Sequence, residues 1–390
     1  MDSSIGTQVQ DFRQPRGSIL RIDPLLLLAA VGLITCGVVV VGSATADDIP
    51  GAPHHFLYRQ AAYGVVGLVL MLLVSRFDYS RMREWKLGLY GLLIGSILMV
   101  LALGGATRGS KRWIEFPFFR FQPSELGKVL LILALSGFLV DRMRRLQERE
   151  TTSRIMLLAV IPAILVVAQP DIGTGMVYIV VAFAVLFVAG TKWTHFAALG
   201  TLGVAAVVLV LVAAPAAGVQ VMKPYQVDRL TAFLHPTDNP REQGYQINQS
   251  LAAVGSGGKT GRGDQATQTK LDFLPEHHTD FVFSVVGETF GFVGAALVLS
   301  LFALLIWRSL RILTMSKNLY GTLIAGGITA MLMFQVFVNV GMTIGIMPIT
   351  GVPLPLVSYG GSSVIVTFLA IGLLQSIHAQ ARDTAAAKGL

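Results

Sequence analysis

The stretch 273-FLPEHHTDFVFSVVGE-288 decides how the chain must fold. From Phe281 the apolar sequence runs on to about residue 307, enough for a bilayer crossing, which takes roughly 20 helical residues. Yet Glu276, His277, His278 and Asp280 crowd the mouth of this run, and Glu288 lies two turns inside it. Ionisable groups at membrane depth are costly, so they are paired, face a cavity or carry function. The stretch therefore predicts a membrane helix that opens on a polar site at one membrane face.

The rest of the chain repeats the apolar pattern. Of its 390 residues 53% are hydrophobic and only 13% are charged, with a mean hydropathy of +0.66. A soluble domain carries about a quarter charged residues. Ten spans are predicted, at about 20–43, 58–76, 87–105, 123–140, 154–169, 173–190, 194–214, 281–307, 318–342 and 359–378. The fold class is all-α, a polytopic membrane protein. It reads as a single membrane domain over 1–390, with tails at 1–19 and 379–390 and a large external loop at 215–280 between the seventh and eighth helices. Arg13, Arg16 and Arg21 precede the first run, and no small-residue cleavage site follows it, so that run is expected to stay as the first helix. Cys36 is the single cysteine, which excludes an intramolecular disulfide and a thiol metal site.

Charge orients the spans. Arg76, Arg81, Arg83 and Lys86 lie in one connection, Arg142, Arg144, Arg145, Arg149 and Arg154 in another, and Arg308, Arg311 and Lys317 in a third. With the basic tail inside, all three are cytoplasmic, and an even span count puts both termini there. The net charge of +8 thus reads as membrane topology, not as a nucleic-acid surface. Long loops translocate regardless of charge, so the basic residues of 215–280, Arg229 among them, are no exception. The short loop 107-TRGSKRWIEFPFFRFQ-122 is one, with Arg108, Lys111, Arg112 and Arg120 outside. It anchors in lipid head groups through Trp113 and the Phe run, or it forms an anion site, for which Arg suits phosphate geometry.

Four further stretches stand out. In 122-QPSELGK-128, Pro123 suits a first helical turn, and Glu125 and Lys128 share one face at i,i+3. They are either a mutually neutralising ion pair or the charged wall of a cavity. In 169-QPDIGTG-175, Asp171 either caps the next helix or serves the site. Asn339 and Gln335, one turn apart, read as interhelical glue. The run 347-MPITGVPLPLVSYGGSS-363, with Ser358, Gly360 and Gly361 near its end, is too irregular for a bare turn. Irregular backbone at membrane depth survives only where it is buried in protein or lines a cavity, so a shaped re-entrant segment is expected.

The stretch 253-AVGSGGKT-260 imitates a phosphate-binding loop, but Ala253 stands in place of the first glycine and no strand precedes it. No nucleotide or haem site is expected. Its glycines are either a flexible turn or a place where backbone approaches a ligand or partner. No second cluster of His and Cys supports a zinc site. Within the large loop, DRLTAFLHP and YQINQSLAAVG are expected to form short amphipathic helices on the membrane surface.

Taken together, QPSELGK, QPDIGTG, FLPEHHTDFVFSVVGE and PLPLVSYGGSS resemble the SEDS (shape, elongation, division and sporulation) family of cell-wall polymerases, in that family's order. Within it the chain is more similar to the elongation, RodA-like branch than to the division, FtsW-like branch. MPITGVPLPLVSYGG has Thr-Gly where FtsW-like sequences usually carry Thr-Lys-Gly, and GYQINQSLAAVGSGG and LDFLPEHHTDF point the same way. Two departures are Asp264, after GRG where an apolar residue is common, and GET at 287–289 in place of GEE, which keeps Glu288.

The resemblance implies a peptidoglycan glycosyltransferase that polymerises lipid II on the outer face of the bacterial inner membrane during elongation and rod-shape maintenance. It also implies a divalent cation, Mg2+ or Mn2+, and a partner, a class B penicillin-binding protein with a single span and transpeptidase activity, alongside other elongation-machinery proteins. The family's essential aspartate falls on Asp280, and its cavity-lining Glu and Lys fall on Glu125 and Lys128.

Elementary chemistry agrees. A lipid-linked sugar diphosphate leaves as an anion and needs cations or a metal, which Arg112 with Lys128 would supply. The acceptor hydroxyl must lose a proton, and Asp280 is the candidate base, or else a metal ligand. One-step displacement of an α-linked diphosphate inverts the anomeric carbon. Lys111, Asp171, Arg229, Glu276, His278, Ser358, Gly360 and Gly361 complete the expected substrate cavity. A lipid II flippase would instead carry charge along a path through the membrane, and a pure scaffold would need no Asp280.

Overall fold

The computed structural model describes residues 22–46, 51–103, 112–116, 119–216, 218, 243–270 and 273–387. Helices form where the spans are expected: α1 (Pro24–Ala44), α2 (His55–Ser75), α3 (Lys86–Leu103), α4 (Pro123–Asp141), α5 (Arg149–Ala168), α6 (Ile172–Val188) and α7 (Trp193–Val208). After α8 (Gln243–Ser256) come α9 (Val282–Met315), α10 (Leu319–Thr343) and α11 (Gly361–Ala387). Among the described residues eight helices are long and apolar enough to cross a membrane, and two apolar ones, Lys86–Ala102 and Ile172–Val188, are shorter. The chain is a multi-pass helical membrane protein.

Local chemistry sets several helix starts. Asp23 accepts from the amides of Leu25 and Leu26 at the head of α1, and Asn318 from that of Gly321 at the head of α10. Pro123 opens α4, where a missing N–H costs nothing. Three helices outrun their expected spans, because a helix satisfies its own backbone in water as well as in lipid. Arg149 and Arg154 ride on α5, Arg308 and Arg311 on α9, and α11 continues to Ala387.

The core centres on α4, α10 and α11. The most apolar window of α4 is 83% buried, whereas that of α7 has no buried residue, so α7 stands at the periphery. Side-chain bonds mark two ends of the bundle. At one, Asp23 pairs with Arg308, Asp23 N–H donates to Gln375 Oε1 (2.7 Å), Arg83 pairs with Asp141 (2.8 Å), and Tyr79 Oη donates to Asn318 (3.2 Å). This is the Arg-rich end. Exposed Trp85, Trp193 and Trp307 ring it, as aromatic residues do at a membrane interface. At the other end, Gln60 donates to the Ser358 carbonyl (3.1 Å) and Gln122 N–H to Ser362 Oγ (3.0 Å).

That second end carries all the singled-out motifs. Among the described residues before α4, two short strands pair antiparallel, β1 (Ile114–Phe116) and β2 (Phe119–Phe121), with Glu115 opposite Arg120. YQINQSLAAVG is helical as expected, within α8, but it docks on protein. Ile247, Ser250 and Ala253 are buried, and Ser250 Oγ lies 2.6 Å from Ser284 Oγ and donates to the Thr343 carbonyl (2.8 Å). The segment DRLTAFLHP lies outside the described residues.

Candidate active site

Asp280 sits in the tight turn that leads into α9. Glu276 adopts a left-handed φ of +55°, uncommon for a residue with a Cβ, and its carbonyl collects the N–H groups of Thr279 (3.2 Å), Asp280 (3.1 Å) and Phe281 (3.4 Å). The N-cap of α9 is Phe281, with no side-chain cap bond, so capping does not account for Asp280. The half-buried carboxylate lies over the re-entrant segment: Oδ2 is 3.5 Å from where a Cβ on Gly351 would stand.

Two bonds lock this turn to the re-entrant segment, and a third braces the segment itself. Ser358 Oγ donates to the Thr279 carbonyl (2.6 Å) and accepts from Leu354 N–H (2.8 Å), and Tyr359 N–H donates to the His278 carbonyl (2.9 Å). Ser358 is buried, and the first two of these bonds occupy its hydroxyl. His278 packs its ring against both Phe56 and Tyr359, with centroids at 5.5 and 5.8 Å, and those two rings also touch. Tyr359 lies ahead of α11, outside the membrane-spanning helix. Gly361 packs under Phe119 and Tyr63, and Gly360 precedes it at the head of α11.

The second half of the site is built on α4 and α6. Lys128 Nζ donates to Glu125 Oε2 (2.7 Å), and the two side chains are 3% and 4% exposed. Beside them Gln122 bridges Ser124 Oγ (3.1 Å) and Asp171 Oδ2 (3.0 Å) through one amide nitrogen. Asp171 does cap α6, accepting from Thr174 N–H (3.1 Å), and its other oxygen accepts from Gln122. Arg112 Nε donates to the Gln169 carbonyl (2.8 Å) and its Nη2 to that of Pro170. A guanidinium has five N–H donors, so these two bonds do not exhaust it.

The halves meet at α6. A side chain on Gly173 would collide with Thr350 and Val352, the residues on either side of the Gly351 that underlies Asp280. Asp280, Asp171, Glu125, Lys128 and Arg112 thus belong to one region at one membrane face. Lys111 and Arg229, expected in the same cavity, lie outside the described residues.

The same architecture recurs in known proteins. The profile of the FtsW/RodA/SpoVE family, described as cell cycle proteins, matches residues 24–383. The chain belongs to this family. Peptidoglycan glycosyltransferase MrdB of Escherichia coli K12 is 38% identical over 360 residues, covering 92% of this chain and 94% of that one. Probable peptidoglycan glycosyltransferase FtsW of Geobacter metallireducens is 36% identical over 385 residues, 96% and 99% of the two chains. A solved chain of a peptidoglycan synthase complex, described as coordinating polymerization and crosslinking, superposes with a TM-score of 0.77 at 31% identity, over 92% of this chain and 98% of that one.

Within this family member, residues outside the expected set also shape the site. Gln60 reaches the Ser358 carbonyl from α2, and Tyr178 Oη donates to the Ser124 carbonyl (3.0 Å) from α6. A polar residue in an apolar span was their only signal. Asn339, expected as glue, is glue within the site itself, bonding the carbonyls of Asp280 and Val352. Glu288 is not part of this region. Its carboxylate is fully buried against residues 267–269 of the loop ahead of α9.

Proposed function

We propose that the chain is a peptidoglycan glycosyltransferase that polymerises lipid II on the outer face of the bacterial inner membrane, with both termini in the cytoplasm. The observation that carries this reading is the placement of the Asp280 carboxylate over Gly351, in the re-entrant segment whose Thr350 and Val352 pack on Gly173 of α6. The bulk of basic short-loop residues lies at the opposite end of the bundle, which supports a cytoplasmic position for that end. A lipid tail can then lie among the helices while its diphosphate head reaches the site.

Asp280 takes the proton of the acceptor hydroxyl as its oxygen attacks the anomeric carbon. The bond from that carbon to the diphosphate breaks on the opposite side, so the α-linked donor becomes a β-linked glycan. The electron pair leaves with the diphosphate, where Lys128 and the remaining donors of Arg112 balance the charge. Tight binding of Lys128 to Glu125 in the substrate-free protein keeps that buried cation compensated until an anion arrives.

A divalent cation, Mg2+ or Mn2+, fits this site as one shared with substrate. Among the described residues no three or more Asp, Glu, His or Cys side chains group into a protein-only cage, whereas Asp280 with diphosphate oxygens forms the oxygen-rich set that hard cations take. When bound, such a cation neutralises charge on the leaving group.

The elongation branch is favoured by the Thr350–Gly351 step, although relatives named for either branch have similar identities. A single-pass class B penicillin-binding protein is the proposed partner, a reading supported by the likeness to a chain of a synthase complex. Incubating purified protein with lipid II tests the activity. Glycan strands are expected with and without a membrane to cross. Translocation of lipid II with no chain growth would establish a flippase instead, and neither activity would leave a scaffold.

A further inference from the structure

The α9 helix is broken, and the external loop fills the break. Gly291 has φ +63° and ψ −158°, a conformation that residues with a Cβ rarely adopt. The break frees backbone groups at membrane depth, where each must find a partner. The loop 257–263 provides them. Phe292 N–H donates to the Gly258 carbonyl (3.0 Å), Val293 N–H to that of Lys259 (3.1 Å), and Arg262 N–H to the Glu288 carbonyl (2.8 Å). Gly261 packs so closely on Thr289 that no side chain fits between them. The glycine-rich stretch that imitates a phosphate loop is therefore a wedge whose backbone substitutes for lost helix bonds.

Glu288 completes the clamp. Its carboxylate, 0% exposed, accepts from the N–H groups of Thr267 (2.8 Å), Gln268 (2.9 Å) and Thr269 (3.0 Å), and from Thr269 Oγ1. From there the bonds run on towards Asp280. Leu274 N–H donates to the Gln268 carbonyl (3.2 Å), His277 Nδ1 lies 3.0 Å from the Leu274 carbonyl, and Asp280 N–H donates to Glu276 O (3.1 Å). Leu274 and Phe281 also pack with Ile247 of α8 and Ile349 of the re-entrant segment in a small buried cluster.

We propose that Glu288 is a positioning residue, setting Asp280 by clamping residues 267–270, and through Gln268 the 273–281 turn, to the part of α9 before Gly291. Both carboxylate oxygens are occupied by the loop, so Glu288 acts through that segment and not on substrate. The proposal rests on Asp280 as the catalytic group. Misplacement of a reacting group by about 1 Å costs about 10²-fold in rate, so loosening the clamp lowers turnover without altering the anion-binding half of the site.

Glu288→Gln is the test, because glutamine keeps the shape but points an amide N–H2 at backbone donors. With purified full-length protein, its kcat for lipid II polymerisation is expected to fall by about 10- to 10²-fold while KM stays within about twofold. Hydrogen exchange of the 267–281 amides is expected to accelerate in the same sample. Thr269→Val, which removes only the hydroxyl bond, is expected to shift both readouts less and in the same direction, and it decides the matter alone if Glu288→Gln does not fold. Unchanged kcat, a rise in KM with kcat intact, or lost kcat with exchange at 267–281 unchanged would each overturn the proposal. Asp280→Asn separates it from the reading beneath: turnover by that variant defeats both, whereas an inactive Asp280→Asn beside a fully active Glu288→Gln defeats the clamp alone.

Discussion

Asn339 holds Asp280 to the re-entrant segment. From within α10 its amide nitrogen donates to the Asp280 carbonyl (2.9 Å) and to that of Val352 (2.8 Å), one residue beyond the glycine over which the carboxylate lies. A side chain that read as interhelical glue therefore ties together the two pieces of irregular backbone that form the site.

Replacing Asn339 with Leu is expected to destabilise the protein and the site together. The buried Val352 carbonyl loses its partner, at about 1–3 kcal/mol, and the part-buried Asp280 carbonyl loses its own at a smaller cost. Thermal unfolding in detergent should show the loss, and polymerase activity should fall further than the unfolded fraction explains. A variant with wild-type stability and turnover would refute the tie.

For Asp280, asparagine is the informative substitution. It keeps size and hydrogen-bonding capacity but cannot accept the proton. Because the cap of α9 is Phe281, no helix-start defect is expected. Loss of a general base predicts a fall of about 10²- to 10⁴-fold, with membrane insertion and partner binding intact. Substantial lipid II turnover by purified Asp280→Asn protein would sink the catalytic assignment.

The buried pair needs a double substitution. Removing either partner alone strands a charge at under 5% exposure and is expected to cost about 3–5 kcal/mol, so single variants lose activity for structural reasons. Glu125→Gln with Lys128→Met removes both charges and should recover most of the stability. If the pair serves the diphosphate, the double variant folds and stays inactive. Near-normal polymerisation by it would reduce the pair to a structural ion pair.

Cation dependence follows from the shared site. Excess chelator should abolish polymerisation without unfolding the protein, and added Mn2+ or Mg2+ should restore it. Full activity in chelator would exclude a metal role for Asp280.

Topology is open to labelling with an impermeant thiol reagent on intact cells, in a Cys36→Ser background. Cysteines at the exposed positions Lys259 and Gln147 sit at opposite ends of the bundle. Labelling is expected at 259 and not at 147, and the reverse would invert the orientation.

Much of this was legible without coordinates. Apolar runs set the helices, since hydrocarbon admits no unpaired backbone and a helix pairs its own. QPSELGK, QPDIGTG and MPITGVPLPLVSYGGSS named the site, because polar and irregular sequence inside such runs is too costly to persist unless it is paired or lines a cavity. Tertiary structure alone decided which of these residues act together. That Asp171 holds Gln122 as well as capping α6, that Ser358 is buried support, and that the loop at 267–269 closes on Glu288 of α9 are consequences of contacts across about 20 to 80 residues, which no local pattern encodes. The break at Gly291 is the clearest case. Its sequence is an ordinary GFVG within an apolar run, and only the carbonyls of a loop some thirty residues earlier, packed against it, make a broken helix cheaper than a straight one.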